Sequence, residues 1–284
     1  MIQISGVPFQ SSSAWPKEST ERMIIDGMMT SPTSFSFRSM NELAFEMELR
    51  RNIIRSSRLL NQSNAAFEIF ERSRSNPMYW YTTPFGGFQL RPGVRPSIAI
   101  EDIYRNGHLY GFECATAMVI VYYHAVLRVL GPATFDQLFQ GLYLYSWNFD
   151  PDLGLSTGYT RQFIPGDVVY FNNPQFNPQS PEWRGVNAVL LDDGTYYGHG
   201  MGIVRAYEMI DSLNGVRVPW ATQPAYLSNL VTRPAFTYLA NISTQRTSRP
   251  PKVKYKVIEH NETSISFERY AHYLHQAHAT DPDA

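Results

Sequence analysis

The most pronounced apolar pattern in the chain follows a short glycine-containing loop at Tyr110-Gly111. Residues 115–123 are almost entirely apolar, and the pattern continues past His124 and Arg128 to Leu130. Gly131 then stands where a glycine commonly ends a helix. The pattern therefore predicts a buried helix that begins at Cys114 and ends at Leu130, with the rest of the chain arranged around it.

Apolar residues spaced three or four apart predict further helices, most of them in the first half of the chain. Ser39 and Glu42 have the spacing of a capping box and predict a helix that continues to about Leu60. Thr134 and Gln137 have the same spacing and predict a helix through about Leu142. The remaining predicted helices lie at residues 21–29, 96–106 and 207–213.

Beyond Trp147 the pattern changes to short apolar runs separated by turn residues, which is typical of strands. Strands are predicted at residues 168–171, 188–191 and 195–197, with a hairpin turn at Asp193-Gly194. Earlier in the chain, residues 1–6 predict a strand and residues 76–88 predict a strand, a turn and a second strand. A central helix followed by antiparallel strands predicts an α+β fold of the papain-like kind, with a central antiparallel sheet and surrounding helices.

Composition limits the classes of protein to consider. The chain has 284 residues and a net charge of -1 without long runs of one sign, so neither a nucleic-acid nor a membrane partner is expected. No apolar stretch is expected to span a bilayer, which favours a soluble protein made in the cytosol. Residues 1–242 are expected to form one domain. Residues 243–284 lack a clear apolar period and are expected to be an extension that is partly disordered or ordered by partners.

Cys114 is the only cysteine, so an internal disulfide and a thiolate zinc site are excluded, and neither a metal nor a cofactor is expected. A thiol at a helix N-terminus is favoured as a thiolate and becomes a nucleophile, although a lone cysteine often only packs. Glu113 places a carboxylate beside it and His199, between two glycines, offers an imidazole. The alternatives are that Glu113 only complements the helix dipole and that His199 is a loop histidine with a structural hydrogen bond.

Several stretches together resemble the bacterial spore-coat transglutaminases, which are calcium-independent protein-glutamine gamma-glutamyltransferases. The resemblance covers about residues 1 to 235. It is carried by the stretches 112–117, 174–178, 183–185 and 197–200 and by the helix at 39–53. As a set these motifs are far more specific than one cysteine and one histidine.

The resemblance implies a papain-like, NlpC/P60-related fold and a reaction at Cys114. The thiolate would attack the γ-carboxamide of a protein glutamine, release ammonia and form a thioester, which a lysine amine would convert to an isopeptide bond. The resemblance also implies a tunnel whose wall includes Phe67, Trp147 and Trp183. A dry passage would protect the thioester from water.

One position departs from the family pattern, because Val186 stands where the family has a glutamate that partners the thiol. The hypothesis is therefore that Glu113 pairs with Cys114, with His199 nearby and Asn187 as a weaker substitute that can orient but not ionise. An amidase or peptidase of the same fold, or a structural coat protein that has lost turnover, are the alternatives. The resemblance further implies protein substrates with glutamine and lysine side chains and a place in the mother-cell cytoplasm and the spore coat. The protein is expected to be a monomer.

Overall fold

A helix through the centre of the protein organises the computed structural model, which describes residues 1–10, 15–244 and 257–279. Helix α4, Cys114–Leu130, begins and ends where the sequence predicts. Every residue from Cys114 to Leu127 is buried, and Gly131 follows with a φ of 76°. Such a conformation favours glycine because it is strained for residues with a side chain.

The other elements pack around α4. The helices are α1 Thr20–Thr30, α2 Met40–Gln62, α3 Pro96–Arg105, α5 Pro132–Leu138, α6 Ala206–Asn214, α7 Phe236–Thr244 and α8 Phe267–Ala279. The strands are β1 Ile2–Ile4, β2 Val7–Pro8, β3 Phe35–Phe37, β4 Ala66–Phe67, β5 Trp80–Thr82, β6 Phe88–Leu90, β7 Gly111–Phe112, β8 Tyr143–Leu144, β9 Ser156–Tyr159, β10 Val168–Asn172, β11 Gly185–Leu190, β12 Tyr196–Gly198, β13 Gly202–Val204 and β14 Tyr226–Arg233.

Six strands form an antiparallel sheet in the order β13-β12-β11-β10-β14-β9. The main apolar core, which contains α2 and α4 residues, includes Val189 of β11 and Tyr197 of β12. A second apolar cluster combines Val186 of β11 with Met209 and Leu213 of α6. The sheet thus lies between α6 and the layer of α2 and α4, which confirms the α+β class with an antiparallel sheet.

Several elements differ from the sequence predictions, among them α5 and one strand of the sheet. Helix α5 begins at Pro132 and ends at Leu138, earlier than the predicted capping box, because Pro132 suits the first turn of a helix directly after Gly131. Strand β14, which lies between β10 and β9, was not predicted. At α2 the Ser39 side chain accepts from the Glu42 amide as expected, while the Glu42 carboxylate accepts from the amide of Arg38.

A buried group of charges joins α2 to the sheet. Arg50 is 0% exposed and donates to Glu46 at 2.8 Å and to Asp167 at 2.8 Å. Arg233 of β14 donates to the other oxygen of Asp167 at 2.6 Å. Burial alone would raise the pKa of Asp167, but the attraction of Arg50 and Arg233 outweighs it and holds the pKa below its ordinary value.

The stretch Cys114–Leu138 is 25 residues long and, by length and composition, apolar enough to cross a membrane, contrary to the expectation from sequence. His124 lies within this stretch, and its ring is buried, stacked on Tyr104 and hydrogen-bonded to Ser56 at 2.8 Å. Burial lowers the pKa of His124 to about 3, so the ring is neutral. Within the protein 78% of this apolar window is buried, as in the core helix of a soluble protein.

The end of the chain differs from the expected extension in its described part. Helix α7 continues to Thr244, so the expected boundary between residues 242 and 243 falls in its last turn. Ile265, Phe267 and Tyr270 belong to the main apolar core. The C-terminal segment, defined here as residues 257–279, therefore packs on the chain itself.

Candidate active site

Cys114 lies in the first turn of α4, directly after the two-residue strand β7. The residue is buried, with 1% of its surface exposed. Its Sγ accepts a hydrogen bond from Nδ2 of Asn187 at 3.4 Å. Burial, and next the charge of Glu113, raise the pKa of the thiol to about 12, against the opposing effect of Asn187. The thiol is therefore protonated in this arrangement.

Glu113 caps the helix that carries the thiol. Its carboxylate accepts from the amides of Ala115 at 2.8 Å and Thr116 at 2.6 Å and from the Thr116 hydroxyl at 2.9 Å. The amide of Ser264 donates to the same carboxylate at 3.3 Å. Among the described residues, no hydrogen bond joins this carboxylate to Sγ. Burial raises the pKa of Glu113 above its ordinary value, although these hydrogen bonds oppose the change.

Val186 and Asn187 lie on opposite faces of β11, because side chains alternate along a strand. Val186 packs in the cluster of α6, away from the thiol. Asn187 faces Cys114 and is 1% exposed. Val186, where a glutamate partner of the thiol was expected, therefore does not face the sulfur. The side-chain amide of Asn187 contacts the sulfur instead.

His199 links two parts of the site through its two ring nitrogens. Among the described residues, neither nitrogen is hydrogen-bonded to the sulfur of Cys114. Its Nδ1 lies 3.2 Å from the Tyr197 hydroxyl and its Nε2 lies 3.1 Å from the Ala66 carbonyl oxygen. Because a carbonyl oxygen only accepts, Nε2 carries the proton and Nδ1 accepts from Tyr197. Burial lowers the pKa of His199 to about 4, so the ring is neutral, and it stacks on Phe112 at 4.7 Å between ring centroids.

Phe67 and Trp183 lie together beside His199. Their ring centroids are 5.4 Å apart, and the centroid of Phe67 is 6.1 Å from that of His199. Strand β4 pairs with β7, which places Phe67 opposite Phe112. Gly200 has a φ of 91°, and a Cβ there would lie 2.8 Å from the Phe67 ring. The glycine therefore makes room for Phe67 rather than for the histidine.

Trp147 lies elsewhere in the site, against the C-terminal segment. It is fully buried, and its Nε1 donates to the Ile265 carbonyl oxygen at 2.9 Å. The same oxygen accepts from Nδ2 of Asn187 at 2.8 Å. The Tyr170 hydroxyl donates to the neighbouring carbonyl, that of Ser264, at 3.1 Å. Of the three expected tunnel residues, Phe67 and Trp183 are thus in contact with each other, while Trp147 contacts the C-terminal segment.

Comparison with known proteins identifies the family. The model of a family described as protein-glutamine gamma-glutamyltransferase matches residues 1–243. A protein of that name from Halalkalibacterium halodurans is 51% identical over 275 residues, which are 96% of this chain and 97% of the relative. The chain belongs to the protein-glutamine gamma-glutamyltransferase family.

Other relatives agree with this assignment. The protein-glutamine gamma-glutamyltransferase of Bacillus mycoides is 45% identical over 226 residues, which are 80% of this chain and 82% of the relative. A solved transglutaminase from Geobacillus stearothermophilus, determined without its C-terminal extension, has a TM-score of 0.70 and 46% identity and covers 73% of this chain and 100% of its own. This family member is therefore an acyltransferase that cross-links proteins, as the resemblance in the sequence predicted.

Sequence reasoning missed the hydrogen bonds between the C-terminal segment and the site of this family member. The donor pair of Asn187 and Trp147 was not recognised, because one residue was considered a substitute partner and the other a tunnel wall. The contacts of residues 264 and 265 with Glu113 and with that pair were also missed. The apolar residues Ile265 and Phe267 were the signal that could have indicated a docked segment.

Proposed function

We propose that Cys114 is the nucleophile that carries the γ-glutamyl group in this transglutaminase and that Glu113 moves the protons. The observation that carries the proposal is that the chain's only cysteine lies in the first turn of α4, beside a carboxylate whose pKa is raised by burial. A more basic carboxylate is a better proton acceptor for a thiol than an ordinary one. A papain-like fold of the NlpC/P60 kind is consistent with the helix-and-sheet arrangement.

The reaction balances with these two groups. The thiol proton passes to the Glu113 carboxylate while Sγ bonds to the γ-carbon of the glutamine. The C–N bond then breaks, and the nitrogen leaves as ammonia with the proton returned by Glu113. In the second half, a lysine amine attacks the thioester and gives its proton to Glu113, and the departing sulfur takes that proton back.

The other site residues have supporting roles in this proposal. His199 is neutral and both of its nitrogens are hydrogen-bonded, so the geometry favours a role in positioning β4 and Phe67 over proton transfer. Phe67 and Trp183 supply an apolar surface for the substrate chains, which favours the amine over water as the acceptor. The reaction so written needs neither calcium nor another cofactor.

The protein substrates are proposed to be spore-coat proteins with exposed glutamine and lysine side chains, cross-linked in the mother-cell cytoplasm and at the spore coat by a monomeric enzyme. The support for this place is the resemblance of the sequence motifs to spore-coat transglutaminases. A membrane or a nucleic acid has no part in the proposal, since the net charge of -1 gives no basis for attraction to anionic surfaces.

Incorporation of a fluorescent primary amine into a glutamine-bearing protein tests the nucleophile. We expect incorporation by the wild type and none by Cys114→Ala, whose smaller side chain keeps the helix intact. Ammonia release without incorporation would replace the transferase with a hydrolase. Incorporation by Cys114→Ala would remove the thiol from the mechanism. Val186→Glu is not expected to add a base at the sulfur, because that side chain faces the α6 cluster.

A further inference from the structure

The thiol of Cys114 is sealed by residues that lie outside the part of the chain matched by the family model. That match ends at residue 243, whereas Ser264 and Ile265 belong to the C-terminal segment. Ser264 is 1% exposed and Ile265 is 0% exposed. Residues 263–267 are thus buried against the site of an enzyme whose substrates are large proteins, and two such chains cannot reach the sulfur while they remain.

The contacts of this segment coincide with the groups that the reaction needs. The Ser264 amide donates to the Glu113 carboxylate at 3.3 Å and occupies an acceptor position of the proposed base. The Ile265 carbonyl oxygen accepts from Asn187 at 2.8 Å and from Trp147 at 2.9 Å. Asn187 also contacts Sγ at 3.4 Å, so this carbonyl is held by a donor that itself touches the nucleophile.

Two N–H donors that converge beside a nucleophile are the arrangement that binds the carbonyl oxygen of an acyl substrate and the negative charge that develops on it. A glutamine γ-carboxamide presents such an oxygen, and so does a peptide carbonyl. A backbone carbonyl of this chain already occupies the donors in the described structure. The donors are therefore present without a substrate and are satisfied by the chain itself.

Apolar packing and polar contacts together hold the segment on the catalytic body, since Ile265, Phe267 and Tyr270 belong to the main apolar core. Glu262 pairs with Arg184 at 3.0 Å, and the Tyr145 hydroxyl bonds to the backbone of His260. A cleft of about 640 Å³ remains between the segment and the body; its walls include Tyr170, Phe176 and Arg184 on one side and Ser266, Arg269 and His272 on the other. The docked segment thus fills only part of the space between it and the body.

Ser264 carries a local cost of this docking. Its φ is 58°, in the left-handed region that favours glycine. Its Oγ is buried and lies close enough to the Cys114 thiol to oppose the rise in the thiol's pKa. The left-handed φ opposes the docked conformation, and it can be altered by substitution at this one position.

We propose that the C-terminal segment is an intramolecular pseudosubstrate, in which the Ile265 carbonyl occupies the place of the glutamine γ-carbonyl between Asn187 and Trp147 and closes the thiol until it is displaced. The role given to the Ile265 carbonyl rests on the proposed function, whereas the covering of the thiol does not depend on it. Asn187 and Trp147 then become the donors that bind the substrate carbonyl when the segment leaves.

Alkylation of Cys114 by iodoacetamide in the full chain measures the covering directly, without reference to catalysis. Ser264→Pro removes the amide donor and forbids a positive φ, so we expect alkylation at least about tenfold faster than in the wild type. Ser264→Gly is the matched control, because glycine keeps the amide and accepts the positive φ. We expect Ser264→Gly to slow alkylation several-fold, because relief of the strain at this residue stabilises the docked conformation. Equal rates in all three proteins would overturn the proposal.

Amine incorporation by the same proteins separates the two proposals. Faster alkylation and faster incorporation in Ser264→Pro would support both, whereas faster alkylation with no incorporation by either Ser264→Pro or the wild type would keep the covering and overturn the proposed function. The donor pair is tested with Asn187→Ala and Trp147→Phe, each of which deletes one donor to the carbonyl. We expect faster alkylation but incorporation slower by about a hundredfold, the usual loss for one such donor. Faster incorporation in both variants would show that the Ile265 carbonyl does not stand in the substrate's place.

Discussion

Glu113 has two separable functions in this structure, as a helix cap and as the proposed base, and substitution by glutamine affects both. The carboxylate accepts from four donors, the amides of Ala115, Thr116 and Ser264 and the Thr116 hydroxyl. A glutamine has one acceptor oxygen, which can keep the two donors of Thr116. Its NH₂ group then faces the amides of Ala115 and Ser264, so two buried donors lose their acceptor.

The expected loss of stability follows from those two donors. Each buried polar group without a partner costs about 1–3 kcal/mol, so the two donors together should lower the free energy of unfolding of Glu113→Gln by about 2–6 kcal/mol. For a chain of this size that corresponds to a fall in Tm of roughly 4–12 °C, at about 2 °C per kcal/mol, which thermal unfolding monitored by circular dichroism measures. A Tm within a degree of the wild type would refute this account of the helix N-terminus.

A serine at the same position separates capping from proton transfer. Serine is among the preferred N-cap residues and restores an acceptor for the first turn, but it cannot take the thiol proton at neutral pH. We expect Glu113→Ser to be more stable than Glu113→Gln and to incorporate amine about 10²–10⁴-fold more slowly than the wild type, when both are assayed well below their Tm. In the wild type, the rate should fall as the pH decreases through the raised pKa of Glu113, and this acidic limb should be absent in Glu113→Ser. Wild-type turnover in Glu113→Ser would leave Glu113 as a cap only.

Two further predictions concern the buried charges and His199. Asp167→Asn removes the carboxylate between Arg50 and Arg233 and should cost about 3–5 kcal/mol in urea unfolding, whereas Asp193→Asn, in an ion pair that is partly exposed, should cost less than about 1 kcal/mol. Because the pKa of Asp167 is lowered in the folded state, its contribution is complete above its unfolded pKa of about 4 and is lost as the pH falls through the folded value. Asp167→Asn should therefore lose less stability below pH 4 than the wild type, and equal losses would contradict the assignment. His199→Ala should raise KM by a larger factor than it lowers kcat, and it should also lower Tm. The wild-type rate should show no titration of this histidine near pH 6.5, since its pKa is about 4. A kcat reduced to the level of Cys114→Ala would instead make His199 catalytic.

Local signals in the sequence predicted the elements that local interactions determine. The helix from Cys114 to Leu130 has an apolar run, an acidic residue before its first turn and a glycine after its last, and each of these acts within a few residues of its position. The hairpin at Asp193-Gly194 likewise depends on one turn. These elements were therefore predicted at or close to their observed bounds, and the resemblance supplied the family.

The orientation of β11 could not be predicted in the same way. Residues 185–190 are all buried, so polar and apolar residues do not alternate and the sequence does not show which face meets α4. Whether Val186 or Asn187 faces the thiol depends on the register with β10 and β12, which is a property of the folded sheet. The roles assigned to residues 263–267 were missed for a related reason, since their partners lie between 78 and 151 positions away in the sequence.

Covering by the C-terminal segment also affects how reactive the Cys114 thiol is. Burial, and next the charge of Glu113, raise the pKa of the covered thiol, so displacement of the segment, which removes part of this burial, increases the thiolate fraction at neutral pH. Reagents and substrates therefore react almost entirely with molecules whose segment is displaced, even where these are a small minority. Because Ser264 holds the base and Ile265 holds the two carbonyl donors, one displacement releases all three groups together. The thiol consequently becomes accessible, more acidic and supplied with its base in the same step.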